Sequence, residues 1–431
     1  MDSSMAFYIA IGVFLLTYVG IMSEKLPRTI CSLAGGGLMI YFGFVTQDMA
    51  LKEFIDFNTL GLLTGMMVLI AVVKRSGFFE AMALWSMKAS HGEARVLLVL
   101  LSILTGVSAS LIDSVTAALL IAPMTISLCR MMKITPVPIL IGEILMANIG
   151  GTALMVGNPP NVMIGSATHL DFNAFLLNLA PAVVITTVFT LAAVLFLFHR
   201  QLPAGKMPKE YLDSIDISSE IKDPVILHRS LAVLAITIVG FVLHSALGLQ
   251  SATVAMTGGL LAMVVCRIEP ADALREVDLD TLLFFMGLFI LVGGLETTGV
   301  IKALASWGIH LVGGDPMTMS YLILTLSGFA SAFIDNIPFT ATMIPLIHEM
   351  QAMLNLQHAD YMWWSLALGA CFGGNGTIIG ASPNVIMVAI AAKEGYNIPF
   401  GKFMLWCFPI MVMTIVVSGV YLYVRYFMGG I

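Results

Sequence analysis

The sequence predicts an all-α polytopic membrane protein: an inverted-topology repeat with two re-entrant hairpins and two broken transmembrane helices, about ten transmembrane segments in all. Three observations predict it. First, of 431 residues 59% are hydrophobic and only 11% charged, with a mean hydropathy of +0.97; a water-soluble domain needs far more charge to cover its surface. Second, the chain repeats itself. Asn58-Thr59-Leu60 returns as Asp280-Thr281-Leu282, 222 residues on, and at that spacing Gly77 meets Gly299, Trp85 meets Trp307, Gly106 meets Gly328, Asp113 meets Asp335 and Pro123 meets Pro345. One inserted residue makes the spacing 223, and Gly157-Asn158-Pro159-Pro160-Asn161 then meets Gly380-Ala381-Ser382-Pro383-Asn384. A duplicated apolar unit with its interruptions in register is the pattern of a secondary transporter whose binding site lies where the repeats meet. Third, the positive charges fall on one side, as the order of elements makes clear.

Apolar runs able to cross a ~30 Å hydrocarbon core lie near residues 5–22, 29–45, 58–75, 137–169, 174–198, 229–248, 251–266, 279–296, 361–392 and 402–426. The first follows Asp2 rather than a basic stretch and no small-residue cleavage site comes after it, so it reads as a retained helix, not a signal peptide. Phe78 to Ser90 is amphipathic. Residues 95–110 and 114–129 then form two apolar arms of about 16 residues, each ~24 Å as a helix, which is short for a full crossing. With the polar junction Ser110 to Ser114 between them, they read as a re-entrant hairpin whose tip reaches mid-membrane. Residues 317–333 and 336–354 repeat the pattern.

The domains follow: N-terminal scaffold helices at 1–57; repeat 1 at 58–198, with hairpin tip 110–116 and broken helix 157–161; a cytoplasmic linker at 199–228; a scaffold helix pair at 229–278; and repeat 2 at 279–431, with tip 332–340 and broken helix 380–384. With the N-terminus outside, 17 of the 20 Lys and Arg fall on the cytoplasmic side, and only Lys52, Lys302 and Arg425 fall outside. That bias sets the orientation: a cytoplasmic membrane protein, multi-pass, both termini outside, the first hairpin entering from the cytoplasm and the second from the outside.

Some chemistries are excluded. No basic stripe interleaved with aromatics speaks for nucleic acid. The five cysteines, Cys31, Cys129, Cys266, Cys371 and Cys407, are scattered without a C-x-x-C pair, and read as packed residues, not disulfides or a metal site. No cofactor is expected. His244, His310 and His348 read as interfacial residues near the outer boundary.

Irregular backbone is tolerated at membrane depth only where it is buried in protein or lines a cavity, and here two hairpin tips and two broken helices converge. Gly157 ends one half-helix, Asn158 is placed to cap the next, and Pro159 suits a first turn that needs no N–H; Ser382 and Pro383 serve the second copy. Half-helix ends offer free N–H donors and carbonyl acceptors to an ion or a small hydroxylated solute. Asp113 and Asp335 at the tips read either as N-caps or as intramembrane carboxylates carrying a proton or cation; the two roles are compatible. Ser114, Thr116, Asn336 and Thr340 supply neighbouring polar atoms. Glu143, aligned with Leu366, is a proton relay or the partner of a cation. Asn148 and Asn375 are expected to face the cavity, and Cys371 is the one thiol near it.

Ile112-Asp113-Ser114-Val115-Thr116, Asn148-Ile149-Gly150-Gly151-Thr152, Gly157-Asn158-Pro159-Pro160-Asn161 and Asp335-Asn336-Ile337-Pro338 together resemble the ion transporter superfamily, most of all its ArsB/NhaD permease branch of arsenite efflux pumps, sodium/proton antiporters and the pigment-cell P protein. The resemblance covers nearly the whole chain. It implies a scaffold plus a moving part, elevator-type alternating access, and substrate bound between hairpin tips and broken-helix loops: Asp113, Ser114, Thr116, Gly157, Asn158 and Asn161 on one side, and Asp335, Asn336, Thr340, Ala381, Ser382 and Asn384 on the other.

The dicarboxylate branch of that superfamily has Ser-Asn-Thr at its tips, where this chain has aspartates. Two carboxylates with no Lys or Arg at either tip disfavour an anion and favour a cation or a neutral hydroxide. The expectation is therefore an arsenite or antimonite efflux permease exchanging cargo for protons. A sodium/proton antiporter and then an organic-anion carrier are the alternatives, and a cytoplasmic ATPase subunit docking on residues 199–230 is a possible partner. An intramembrane aspartyl hydrolase would use the same two aspartates, but it needs no second, inverted broken helix.

Overall fold

The computed structural model describes residues 3–23, 25–202, 216–356 and 359–428. The repeat seen in the sequence is a repeat of helices. In the first copy they are α1 (Ser3–Met22), α2 (Arg28–Tyr41), α3 (Phe57–Arg75), α4 (Phe78–Ala89), α5 (Ala94–Ile112), α6 (Ser114–Met132), α7 (Val137–Gly151), α8 (Pro159–Ala167), α9 (Phe172–Asn178) and α10 (Ala180–Leu197). The second copy has α11 (Pro224–Leu243), α12 (Ser251–Cys266), α13 (Leu279–Thr297), α14 (Val300–Val312), α15 (Pro316–Ser331), α16 (Asn336–Met353), α17 (Asp360–Gly373), α18 (Ser382–Lys393) and α19 (Phe400–Leu422). The leading pairs α1–α2 and α11–α12 correspond within a residue of the repeat spacing, with Arg28 and Ser251 opening α2 and α12. Among the described residues, eight helices are long and apolar enough to cross a membrane.

The same local chemistry starts matching helices. Asp56 accepts the Thr59 hydroxyl at 2.6 Å at the start of α3, and Asp278 accepts the Thr281 hydroxyl at 2.6 Å at the start of α13. The two copies then interlock: α2 packs on α13, and α12 on α3. These crossings run backbone to backbone, because a Cβ on Gly36 would lie 2.8 Å from the Gly287 carbonyl oxygen, and one on Gly259 would lie 2.8 Å from that of Gly65. Small residues at a crossing let helices meet where lipid gives no hydrophobic drive.

The hairpins and broken helices form the other half of the molecule. Within each repeat the first arm lies on the first half of the broken helix, α5 on α7 and α15 on α17; the second arm lies on the other repeat's second half, α6 on α18 and α16 on α8. Arg130, at the open end of the first hairpin, pairs with Glu394 beyond α18 at 2.6 Å. His348, near the open end of the second, meets the Ala167 carbonyl ending α8 at 3.0 Å. The hairpins thus enter from opposite faces, the first from the face that also holds the Lys74–Glu276 and Arg75–Asp272 pairs, called the basic face below.

The hairpin arms are longer than their spacing predicts. α5 and α6 have 19 residues each, about 28 Å as helices, because Ser110, Leu111 and Ile112 remain helical and Asp113 alone leaves the helix. The five cysteines are free and buried. Of the expected linker at 199–228, residues 203–215 lie outside the described residues. Its far end is clasped to the turn between α3 and α4, where Lys222 donates its N–H to the Ser76 carbonyl at 3.0 Å and pairs with Glu80 at 3.4 Å.

Candidate functional site

Each hairpin tip turns on one aspartate. Asp113 has a φ of +114°, a region that costs a non-glycine residue backbone strain. Its carboxylate accepts the N–H groups of Val115 and Thr116 at 3.1 and 3.0 Å and the Thr116 hydroxyl at 2.9 Å. Asp335 has an ordinary negative φ of −47° and accepts the Ile337 N–H at 3.0 Å. Both therefore cap the arm that follows.

The broken helices meet in a buried lattice of amides. α7 ends at Gly151 and α8 begins at Pro159; α17 ends at Gly373 and α18 begins at Ser382. Asn161 donates to the Thr152 and Leu154 carbonyls at 2.9 and 3.0 Å, and Asn384 to those of Gly374 and Thr377 at 2.7 and 2.9 Å. Each Asn thus closes its own helix break. Asn148 ties the halves together, donating to Asn375 and to Asn384, both at 2.9 Å. Asn158 starts α8 without a side-chain cap and donates instead to the Asn148 carbonyl at 3.1 Å. At the position repeating Asn148 stands Cys371, 3.9 Å from the Asn161 oxygen.

Two cavities reach the tips. The first, about 350 Å³, opens beside the Lys74–Glu276 pair and runs to Asp113 and Thr116, past Pro159 and Ser382. The second, about 370 Å³, is lined by Tyr18, Asp335 and Ser382; Arg28 lines both. Of the residues singled out in the sequence, Asp113, Thr116, Asp335 and Ser382 face these spaces. Ser114, Gly157, Asn158, Asn161, Asn336, Thr340, Cys371, Asn375, Ala381 and Asn384 are buried behind them. Glu143 is buried too; it accepts the Thr125 hydroxyl, and its other oxygen has no partner. The Asn148 oxygen and the Thr340 hydroxyl are likewise buried without a partner.

Arg28 corrects the expectation that no cation attends the tips. Its guanidinium donates to the Ser382 hydroxyl at 2.9 Å and the Thr281 hydroxyl at 3.1 Å, and it lies 3.7 Å from the Asp335 carboxylate. The Phe284 ring supports it at 5.2 Å. Arg28 escaped sequence reading because it stands about 300 residues before the tip it serves, in a run of basic residues that topology alone explained. The one available signal was its register, the first turn of α2.

The two tips also share a level. Asp335 stands beside the first turns of α2 and α13, and Asp113 shares its cavity with Asp278 and Thr281 of that same turn. On the opposite face a broader space of about 1140 Å³, lined by Lys52, Glu53, Asn58, Glu296 and His348, reaches Ala341 and Ile344 but not Asp335. Relative to the scaffold the tips therefore sit toward the basic face, not at the midpoint that symmetry and sequence lead one to expect.

Comparison with known proteins places this geometry. The profile of the citrate transporter family, CitMHS, matches residues 18–369. A 46 kDa membrane protein of Mycobacterium leprae is 37% identical over 422 residues, covering 97% of this chain and 98% of that protein. The P protein of Sus scrofa is 30% identical over 505 residues, covering 99% of this chain and 60% of its own length. Among solved structures, the YdaH transporter of Alcanivorax borkumensis, described as having an unusual topology, superposes with a TM-score of 0.67 at 14% identity, over 97% of this chain and 99% of that one.

Proposed function

This chain belongs to the citrate transporter (CitMHS) family, a family of membrane transporters and not of enzymes, and on that premise we propose that it exports arsenite or antimonite from the cytoplasm in exchange for protons. The observation that carries a transport cycle is the displacement of both tips toward the basic face. Two sequence-equivalent halves packed about a scaffold have two equivalent resting places, and the displaced one leaves the tips open to one side. The basic face is the cytoplasmic one by the charge bias. Elevator-like movement of the hairpins and broken helices past the α1–α3 and α11–α13 helices would carry the cavity across.

The cargo reading rests on what lines the cavity. Asp113, Thr116 and Ser382 present oxygens, and Cys371 is buried away from them, so a metalloid would be held as its neutral trihydroxide through oxygen contacts and not by thiolates. Such contacts also let cargo go. Among the described residues Asp113 faces the cavity without an ion-pair partner and is the group proposed to carry the proton, with Asp335 and Glu143 as further coupling groups. The buried Ser114, Gly157, Asn158, Asn161, Asn336, Thr340, Asn375, Ala381 and Asn384 would act by shaping the tips and half-helix ends around the cargo.

Arg28 favours a second reading. A guanidinium facing both cavities suits a carboxylate, and the matching family is described as citrate transporters, so a small organic anion is the competing cargo. Proteoliposome transport separates the two. Wild type and Asp113→Asn are compared under an imposed proton gradient, with and without sodium, following arsenite, citrate and internal pH together. Arsenite movement that needs protons, ignores sodium and is lost in the variant is the expected result. Citrate movement with arsenite inert would install the anion carrier, and proton movement triggered by sodium alone would install the antiporter.

A further inference from the structure

Arg28 does more than place a charge near the cavity, because of where its partners stand. Thr281 and Phe284 belong to α13 of the scaffold, and Thr281 donates to the Asp278 carboxylate at 2.6 Å. Ser382 opens α18, and Asp335 is the tip of the second hairpin; both belong to the half proposed to move. Ser382 also donates to Asp335 at 3.3 Å. An unbroken polar chain thus runs from Asp278 through Thr281, Arg28 and Ser382 to Asp335, crossing from one half of the protein to the other.

The first repeat builds the same frame and leaves the link out. Thr59 and Asp56 reproduce Thr281 and Asp278, but Ser251 stands where Arg28 would be, and Pro159 where Ser382 would be. Ser251 and Asn58 bond to each other instead, with the Asn58 amide also donating to Ser166 at 2.9 Å. When the moving half is at the other face, the symmetry-related position offers Asp113 no guanidinium.

We infer that Arg28 is a one-sided latch, a positioning residue that holds the second hairpin tip and the second broken helix against the scaffold in the basic-face state and has no equivalent in the opposite state. It biases the resting protein toward the face on which it engages. Whatever neutralises or displaces the Asp335 carboxylate releases the latch, whether a bound proton, a cation or an anion competing for the guanidinium. The other titratable groups facing this linkage are Tyr18, whose hydroxyl donates to the Pro338 carbonyl at 2.5 Å, and Asp113, Lys74 and Glu276, which line the cavity that Arg28 and Asp278 share.

This inference rests on the reading that the hairpins and broken helices move, and it is tested without cargo or proton gradient. Ile386 lines both cavities, so Ile386→Cys reports access to a membrane-impermeant maleimide from each face of oriented proteoliposomes. The parent labels from the basic face. Arg28→Gln shifts the ratio of basic-face to opposite-face labelling by about tenfold, the shift that ~1.4 kcal/mol gives. Asp335→Asn shifts it equally, the double variant no further, and Arg28→Lys less than Arg28→Gln. Unchanged labelling in Arg28→Gln, or a double variant that sums the two singles, overturns the latch; if Arg28→Gln does not fold, Asp335→Asn alone decides by the same shift or its absence. Because nothing is transported in the assay, a failed latch leaves the arsenite reading standing, and inert arsenite leaves the latch standing.

Discussion

The two hairpin tips are the same device built twice, and what separates them is what surrounds them. Asp113 and Asp335 each end one arm and cap the next. Around Asp335 stand a guanidinium, a serine and a tyrosine; around Asp113 stand its own strained backbone and the threonine it caps. The same contrast recurs deeper in. Asn148 is answered by Cys371, Asn158 by Ala381 and Glu143 by Leu366. Symmetry supplies the frame that two alternating states require, and the departures from symmetry supply charge, coupling and bias. Changes that respect the frame should therefore act alike in both halves, and changes at the departures should act in one.

The largest effect is expected where the frame is tightest. A Cβ on Gly150 would lie 2.2 Å from the Gly106 carbonyl oxygen, and one on Gly373 would lie 2.3 Å from that of Gly328. Both contacts are backbone on backbone, with no side chain to swing aside. Gly150→Val and Gly373→Val should each remove folded protein from a size-exclusion profile in detergent. A variant at one site that folds normally while the other fails would break the equivalence of the halves.

Transport should separate the tips next. Asp113→Asn keeps one capping oxygen but loses the charge, and uptake should fall about a hundredfold, the lower range for losing a proton-transfer group. Asp335→Asn should fall too, for a different reason, because it leaves the Arg28 guanidinium without its carboxylate. Adding Arg28→Gln should then recover part of the Asp335→Asn loss and none of the Asp113→Asn loss. Equal recovery at both tips would mean that Arg28 serves the cavity as a whole.

A smaller contrast lies in the amide lattice. Asn148→Ala strands the carbonyl oxygens of Asn375 and Asn384, at about 1–3 kcal/mol for each buried group left unpaired. Cys371→Ala, its repeat equivalent, removes a thiol, a weak hydrogen-bonding group that lies 3.9 Å from the Asn161 oxygen, and should cost about 1 kcal/mol or less. Denaturant unfolding in detergent reads both, and equal losses would deny the asymmetry at this layer.

Much of this frame was legible in the chain. Gly, Pro and Asn in register announced two broken helices and two hairpins because each needs a specific backbone irregularity that few residues supply. The lengths of the arms were less legible: a polar tip looks five residues wide in sequence, yet a single capping residue suffices to turn it, and Ser110 to Ile112 stay helical. Site chemistry was legible only where it is local. Asp113 and Asp335 announced themselves as charges in apolar runs, while Arg28 acts across the fold and carried no local mark. Asn161 and Asn384 were visible as motif residues, but not that their amides face inward to close the breaks.

The mildest contrast is at the mouths of the hairpins and turns on pH. Asp315 opens α15, and its carboxylate accepts both the hydroxyl and the N–H of Thr318, at 2.6 and 2.8 Å. Those two bonds hold its carboxyl below the ordinary carboxylate range. At the matching start of α5, Glu93 makes no side-chain cap bond. A depressed value in the folded protein means that the contribution is complete above the unfolded carboxylate value and is lost as pH falls through the folded one. Asp315→Ala should therefore lower the unfolding midpoint slightly at neutral pH, and its gap from wild type should close on acidification. A gap for Asp315 that persists unchanged in acid would show that the cap acts through shape and not through charge.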